Sequence, residues 1–138
     1  MLALGARTLL TAAACTRPLI RASTRPLVVA SASGGSPLPP HLLDLVEELQ
    51  SGEAQLFDVR EPQEAAAGKL KLSKLVPLSD LQEGMKPPHD PALLTYLHCA
   101  AGVRVHPAAA ILQEMGFERV VPMQEGFGTL YQLGFELE

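Results

Sequence analysis

The chain has 138 residues, and its 11 Lys or Arg against 15 Asp or Glu give a formal net charge of −4 at pH 7. This length accommodates one domain with a modest core, and the acidic balance excludes the general footprint of a nucleic-acid-binding protein. No apolar run approaches the roughly 20 residues that a membrane-spanning helix requires, so we expect no membrane segment.

Residues 1–36 differ in composition from the rest. They contain eight Ser or Thr and no Asp or Glu. Their four basic residues are spaced along the segment: Arg7, Arg17, Arg21 and Arg25. This composition is typical of an organellar transit peptide, the alternative being a disordered basic tail. Residues 28–31 (VVAS) resemble a plastid processing site, which favours the chloroplast, whereas the start MLALGARTLL also suits a mitochondrial presequence.

The remainder, residues 37–138, alternates between helix and strand signals. In chain order the pattern predicts a helix over 41–50, a strand over 54–59, a short helix over 61–67, a one-sided extended segment over 69–78 with a Gly/Pro-rich connection through 91, a strand over 94–98, a helix over 106–115, a strand over 118–121 and a last helix over 128–133. Strands separated by helices predict one α/β domain: a central, mostly parallel sheet with helices on both faces.

The cysteines limit the chemistry. Cys15 lies in the predicted transit peptide, so the mature chain would carry only Cys99 and no internal disulfide. One cysteine together with His41, His89, His98 and His106 shows no spacing typical of a zinc site, and we expect no metal.

Cys99 begins the most informative stretch, CAAGVR. It ends a strand, small residues follow, and Gly102 can take a positive φ angle. Such a loop would direct several backbone N–H groups at one point before a helix, which favours a thiolate, and Arg104 is suited to a bound anion. The alternative is a buried cysteine that acts only as a small hydrophobic residue.

Four further residues, two beside this loop and two at the end of another strand, have structural interpretations to weigh against functional ones. Alternation along the strand points His98 away from Cys99, so we expect a core histidine with its hydrogen bonds satisfied. His106 is expected to be a solvated residue at the helix start. Asp58 and Arg60, at the end of another strand, suit either an ordinary ion pair or a role in shaping the pocket.

Residues 40–138 resemble a single-domain rhodanese, a sulfurtransferase fold. The resemblance rests on FDVREPQE (57–64), which is similar to the family's D-x-R-x-x-x-E stretch, on HCAAGVR (98–104), which contains its active loop C-x-x-G-x-R, and on GFERVVPMQEGFGTL (116–130), which is similar to its closing strand, turn and helix. The chain departs from the family at 69–73, where KLKLS replaces His-x-Pro-Gly-Ala, and at Leu130, where a large aromatic residue is common.

The resemblance implies catalysis through a persulfide on Cys99, with Arg104 orienting the leaving group. It implies substrate contacts from Asp58, Arg60 and the loop residues Ala100, Ala101, Gly102 and Val103. The expected donor is thiosulfate or a similar small anion, the acceptor a thiol or cyanide, and no cofactor is needed.

Two alternatives stay open. Related phosphatases use the longer loop C-x5-R, whereas Arg104 gives C-x4-R here. A non-catalytic rhodanese-like binding module is the second alternative, although such modules usually lack the cysteine.

Overall fold

Four short parallel strands form the centre of the fold in the computed structural model, which describes residues 37–138. In chain order the elements are α1 (Pro40–Ser51), β1 (Ala54–Asp58), α2 (Pro62–Ala66), β2 (Ser73–Leu75), α3 (Leu78–Gln82), β3 (Leu94–His98), α4 (Val105–Glu114), β4 (Val120–Pro122) and α5 (Phe127–Gln132). The strands lie in the order β2-β1-β3-β4, and every neighbouring pair is parallel. The predicted α/β class and parallel sheet are confirmed.

Helices cover both faces of this sheet, as predicted. On one face Phe57 and Leu97 pack with α3 and α4 in a cluster that also contains Cys99. On the other face Leu56 and Tyr96 pack with α1 and α5. Successive residues of a strand point to opposite faces, so β1 and β3 each contribute to both clusters.

The strand order positions the candidate site. The chain leaves β1 to form β2 on one side and returns to form β3 on the other side of β1. Asp58 pairs in register with His98, so β1 and β3 end side by side. In open parallel sheets ligands bind beyond the carboxyl ends of the strands at such a change of direction. The loops after β1 and β3 occupy this position here.

The segment 69–78 differs from its prediction as one extended, one-sided stretch. Only residues 73–75 form a strand, at the edge of the sheet. There Ser73 is buried and its hydroxyl donates to the Leu70 carbonyl at 2.8 Å, whereas Leu75 is exposed. The prediction of a one-sided segment from the Lys/Leu alternation was therefore wrong. In the strand Ser73 faces inward, because its hydroxyl has a hydrogen-bond partner, and Leu75 faces outward.

Helix α3 was not predicted. It is one turn long, and its residues Leu78 and Leu81 are buried against the α4 side of the sheet. A single turn is too short to show the helical repeat of apolar residues, so the sequence pattern predicts only a connection there. The other elements begin and end within two residues of their predicted limits.

Residues 1–36 lie outside the described residues, and with them the predicted transit peptide and its processing site at 28–31. Within residues 37–138, every helix is too short or too polar to span a bilayer.

Candidate active site

Cys99 follows directly after β3 and is 1% exposed. Its neighbours in the loop are more accessible: Ala100, Ala101 and Val103 are exposed, and Gly102 is half-buried. The thiol is therefore buried, whereas the apolar side chains that follow it in the loop are exposed.

Gly102 gives the loop its curvature. Its φ angle is +75°, the left-handed region that the sequence predicted and that other residues seldom adopt. In this conformation its N–H donates to Cys99 Sγ at 3.1 Å. One backbone donor of the predicted nest thus reaches the sulfur, where it stabilises negative charge.

The turn at residues 124–126 supports the loop from behind. Phe127 N–H donates to the Cys99 carbonyl at 2.8 Å. A Cβ atom on Gly126 would lie 2.1 Å from the Ala100 carbonyl oxygen, and one on Gly102 would lie 2.6 Å from the Gln124 carbonyl oxygen. Both glycines are therefore required by close backbone contact. The sequence indicated Gly126 only through the resemblance of 116–130.

Arg104 lies at the end of the loop, directly before α4, and is held by Glu64 of α2. The two side chains form a bidentate pair, with Nη1 to Oε2 at 2.5 Å and Nη2 to Oε1 at 2.7 Å. This pair lowers the pKa of Glu64 to about 2, chiefly through the hydrogen bonds to Arg104 and then through the Glu61 N–H. Glu64 was assigned no role from the sequence, although it is the last residue of the D-x-R-x-x-x-E stretch.

A second carboxylate, Glu61, lies near the same guanidinium. The hydrogen bonds to Glu64 raise the pKa of Arg104 most, and the negative charges of a Cys99 thiolate and of Glu61 raise it further. Glu61 also accepts a hydrogen bond from the Ser79 hydroxyl at 2.8 Å, and its N–H donates to Glu64 at 3.1 Å. The loops after β1 and β3 are thus joined by the ion pair of Arg104 and Glu64, and Glu61 supports the Glu64 carboxylate through its N–H.

Asp58 and Arg60 form a buried ion pair below this cluster. Arg60 Nη2 lies 2.7 Å from Asp58 Oδ2 and 2.8 Å from the Gly68 carbonyl, and its guanidinium lies 3.9 Å from the centre of the Phe127 ring. The two residues are 0% and 4% exposed. Their predicted substrate contact stays a prediction, and the burial favours a supporting role.

His98 is buried, as predicted, but its hydrogen bonds are not satisfied. Neither ring nitrogen has a partner among the described residues, and the nearest charged atom pair joins Nε2 to Asp58 Oδ2 at 3.9 Å. Burial lowers its pKa to about 4, against the raising effect of Asp58 and with the lowering effect of Arg60. The prediction of a satisfied histidine was therefore wrong for the described residues: Asp58 Oδ2 lies 3.9 Å from the ring, beyond hydrogen-bond distance, and accepts from Arg60. His106 is exposed in the first turn of α4, as predicted.

His98 should make the protein less stable in mild acid. The unfolded chain binds a proton below about pH 6.5, whereas folded His98 does so only near pH 4, so the free energy of unfolding falls as pH drops through this window. The slope for one such group is at most about 1.4 kcal/mol per pH unit. Urea titrations between about pH 7 and pH 5.5 measure it, because this range stays above the pH at which Glu64 of the unfolded chain takes up a proton.

His98→Phe should remove most of this slope, and exposed His106→Gln provides the control. His89, whose pKa is lowered chiefly by burial, adds a contribution of the same sign that both variants retain. An unchanged slope in His98→Phe would show that His98 is not the group responsible.

No cluster of three or more His, Cys, Asp or Glu side chains within residues 37–138 is arranged to hold a metal ion. Two grooves, of about 400 and 510 Å³, are lined by neither Cys99 nor Arg104. The candidate site is therefore defined by the loop itself: one buried thiol, the Gly102 N–H that donates to its sulfur, and the Arg104–Glu64 pair at the end of the loop.

Comparison with known proteins agrees with this arrangement. Residues 42–131 match the family model of the rhodanese-like domain. An uncharacterised protein of Bacillus subtilis, YqhL, is 34% identical over 83 residues, a match that covers 59% of this chain and 65% of that protein, just under two thirds of its length.

Solved structures show the same fold. The human single-domain sulfurtransferase TSTD1 superposes with a TM-score of 0.58 at 23% identity, covering 66% of this chain and 92% of that one. A rhodanese-related protein of Thermoplasma volcanium superposes with a TM-score of 0.58 at 27% identity, covering 70% and 92%. Because the family model matches residues 42–131, more than half of the chain, the chain belongs to the rhodanese-like domain family.

Proposed function

We propose that this protein is a sulfurtransferase that carries a sulfane sulfur as a persulfide on Cys99. The observation that supports it most is the position of the thiol. Cys99 lies at the end of β3 with the Gly102 N–H donating to its sulfur at 3.1 Å, under a loop that ends at Arg104. A sulfur held by a backbone donor is suited to alternate between thiolate and persulfide, since both states carry negative charge.

The transfer takes place in two steps. In the first, Cys99 Sγ forms a bond to the outer sulfur of a donor such as thiosulfate, the sulfur–sulfur bond of the donor breaks, and its electron pair leaves with sulfite. In the second, a thiol or cyanide takes the outer sulfur and Cys99 returns as a thiolate. Sulfur moves as a neutral atom in both steps, so no external oxidant or reductant enters.

The loop residues have separate parts in this proposal. The backbone at 100–103 surrounds the transferred sulfur, and Arg104 holds the loop closed through Glu64. Asp58 and Arg60 act as positioning residues, because their buried pair and its bond to the Gly68 carbonyl hold the end of β1 and the start of α2. Breaking a buried pair by removing one partner costs about 3–5 kcal/mol.

Sulfur loading of the intact protein tests the function. After incubation with a sulfane-sulfur donor, the peptide containing Cys99 should gain about 32 Da, and cyanide should remove it with formation of thiocyanate. Transfer that leaves Cys99 unmodified throughout would contradict the proposal.

The non-catalytic binding module remains the second candidate. A module of this kind would fold identically but show no loading under any donor. The retained cysteine and its Gly102 donor argue for the enzyme. The tight loop, with its backbone closely packed against residues 124–126, argues against a phosphate-sized ligand and hence against a phosphatase.

We also propose that residues 1–36 direct import into the chloroplast, with the mitochondrion as the alternative. The support is compositional: four arginines and no acid in this segment. Mass spectrometry of the protein from its own cells should find a mature chain that begins between about residue 30 and residue 37, as removal of a transit peptide requires. An intact N-terminus would contradict import, and a fluorescent fusion of the segment distinguishes the two organelles.

A further inference from the structure

The positive charge nearest the candidate nucleophile is already paired. Arg104 uses two of its nitrogens to bind Glu64, at 2.5 and 2.7 Å, in the fork geometry that a carboxylate or an oxyanion would otherwise use. Because the pKa of Glu64 is lowered to about 2, this carboxylate stays ionised at any pH where the protein works. The guanidinium therefore offers little free charge to an incoming anion.

The charge around the pair is negative. Glu61 is close enough for its charge to raise the pKa of Arg104, and the Ser79 hydroxyl holds it in place at 2.8 Å. Glu64 binds the guanidinium directly, and Glu61 lies beside Glu64, to which its N–H donates. The pair of Asp58 and Arg60 is buried and neutral overall. Two lysines of the segment 69–78 are also engaged, by the carboxylates of residues 136 and 138.

The exposed side chains of the active loop are apolar, whereas an anion-binding site presents polar or positively charged groups. Ala100, Ala101 and Val103 are exposed, and Val103 is 70% exposed. These apolar side chains follow Cys99 in the same loop, and we expect them to contact the carbon part of a donor that reaches the sulfur. A carbon-bound sulfur donor gains from this contact, whereas a compact inorganic anion does not.

We propose that Glu64, with Glu61, determines donor specificity by disfavouring dianionic thiosulfate and favouring a persulfide carried on an organic thiol. This inference rests on the proposed function and specifies its substrate class. In the transfer, Cys99 Sγ bonds to the outer sulfur of R–S–SH, the bond between the two donor sulfurs breaks, and the electron pair leaves with the inner sulfur as R–S⁻. The products are Cys99–S–SH and a thiolate, so atoms, charge and electrons balance without a further reactant.

Glu64→Gln tests the role of charge with little change of shape. The amide oxygen of glutamine still accepts from the Glu61 N–H or from Arg104, while the negative charge is removed. The assay compares loading of Cys99 from thiosulfate and from 2-hydroxyethyl persulfide, which carries no charge beyond its terminal sulfur. The wild type should prefer the persulfide, and Glu64→Gln should raise the ratio of kcat/KM for thiosulfate to kcat/KM for the persulfide about tenfold, even where loosening of the loop lowers both values.

Two further measurements separate charge from structure. Added salt should raise thiosulfate kcat/KM in the wild type, because it screens the repulsion, and should do so less in Glu64→Gln. Glu64→Asp keeps the charge but disturbs the fork, so it should retain the wild-type preference even if it loses stability. Glu118→Gln is the matched control. It removes one exposed carboxylate just before β4, at the amino ends of the parallel strands, whereas Cys99 lies at the carboxyl end of β3.

Each outcome has a distinct meaning. A wild type that prefers thiosulfate, or a Glu64→Gln variant whose donor preference is unchanged, would overturn the specificity proposal and leave the sulfurtransferase intact. Equal gains in Glu64→Gln and Glu64→Asp would also overturn it, since charge would then not be the cause. Loading from neither donor would instead overturn the proposed function itself.

Discussion

Replacing Cys99 with serine should abolish sulfur loading and lower turnover at least about a thousandfold. A serine hydroxyl is not ionised at neutral pH and has no sulfur to form a persulfide, while its size is close to that of the thiol. Cys99 is buried beside the Gly102 N–H, and a serine hydroxyl oxygen can accept the same hydrogen bond from it. The loop should therefore keep its shape. Mass spectrometry after donor treatment and a thiocyanate assay measure the two losses.

The other cysteine provides the control. Cys15→Ser changes the same residue type in the predicted transit peptide and should leave loading and turnover unchanged. If Cys99→Ser retained turnover while folding normally, the persulfide mechanism would have to be abandoned.

Gly126→Ala should have the second largest effect, on both stability and activity. The new Cβ would lie 2.1 Å from the Ala100 carbonyl oxygen and 3.2 Å from the Ala101 Cα, and these backbone atoms cannot move aside as a flexible side chain would. We expect the free energy of unfolding to fall by about 1–3 kcal/mol, as overpacking of a well-packed site does. Displacement of the loop by about 1 Å should lower kcat/KM about a hundredfold.

Gly128→Ala, two residues further on, is the matched control. It lies in α5, no atom lies within 4 Å of the position that its new methyl group would take, and alanine is the better helix former. Urea unfolding and donor kinetics on both variants should show a loss only at Gly126. A Gly126→Ala variant with wild-type kinetics would mean that the 124–126 turn does not support the active loop.

The local features of the site were predictable from the sequence because each depends on neighbours in the chain. Gly102 between a strand end and a helix start predicted a positive φ angle, and the angle is +75°. The strand at 94–98 was predicted from its apolar, β-favouring residues, and its limits agree. Alternation along this strand correctly placed Cys99 and His98 on opposite faces, since β side chains follow a period of two.

Contacts between distant segments became visible only in the folded chain. Glu64 and Arg104 are 40 residues apart, and they meet because β1 and β3 are neighbours and end at the same edge of the sheet. Gly126 contacts Ala100 because β4 pairs with β3 and returns the chain behind the active loop.

The strand-end cysteine, the curl of its loop and the α/β alternation could thus be predicted from the order of residues alone, since all three follow from short-range backbone preferences and periodicity. Whether Arg104 is free for an anion or held by a carboxylate depends on which loops the sheet brings together. For the same reason, the local sequence does not show that His98 lies 3.9 Å from Asp58 Oδ2 and finds no hydrogen-bond partner among the described residues. Which charged side chains of different loops meet depends on which strands are neighbours in the sheet, and no local pattern of residues predicts the order of the strands.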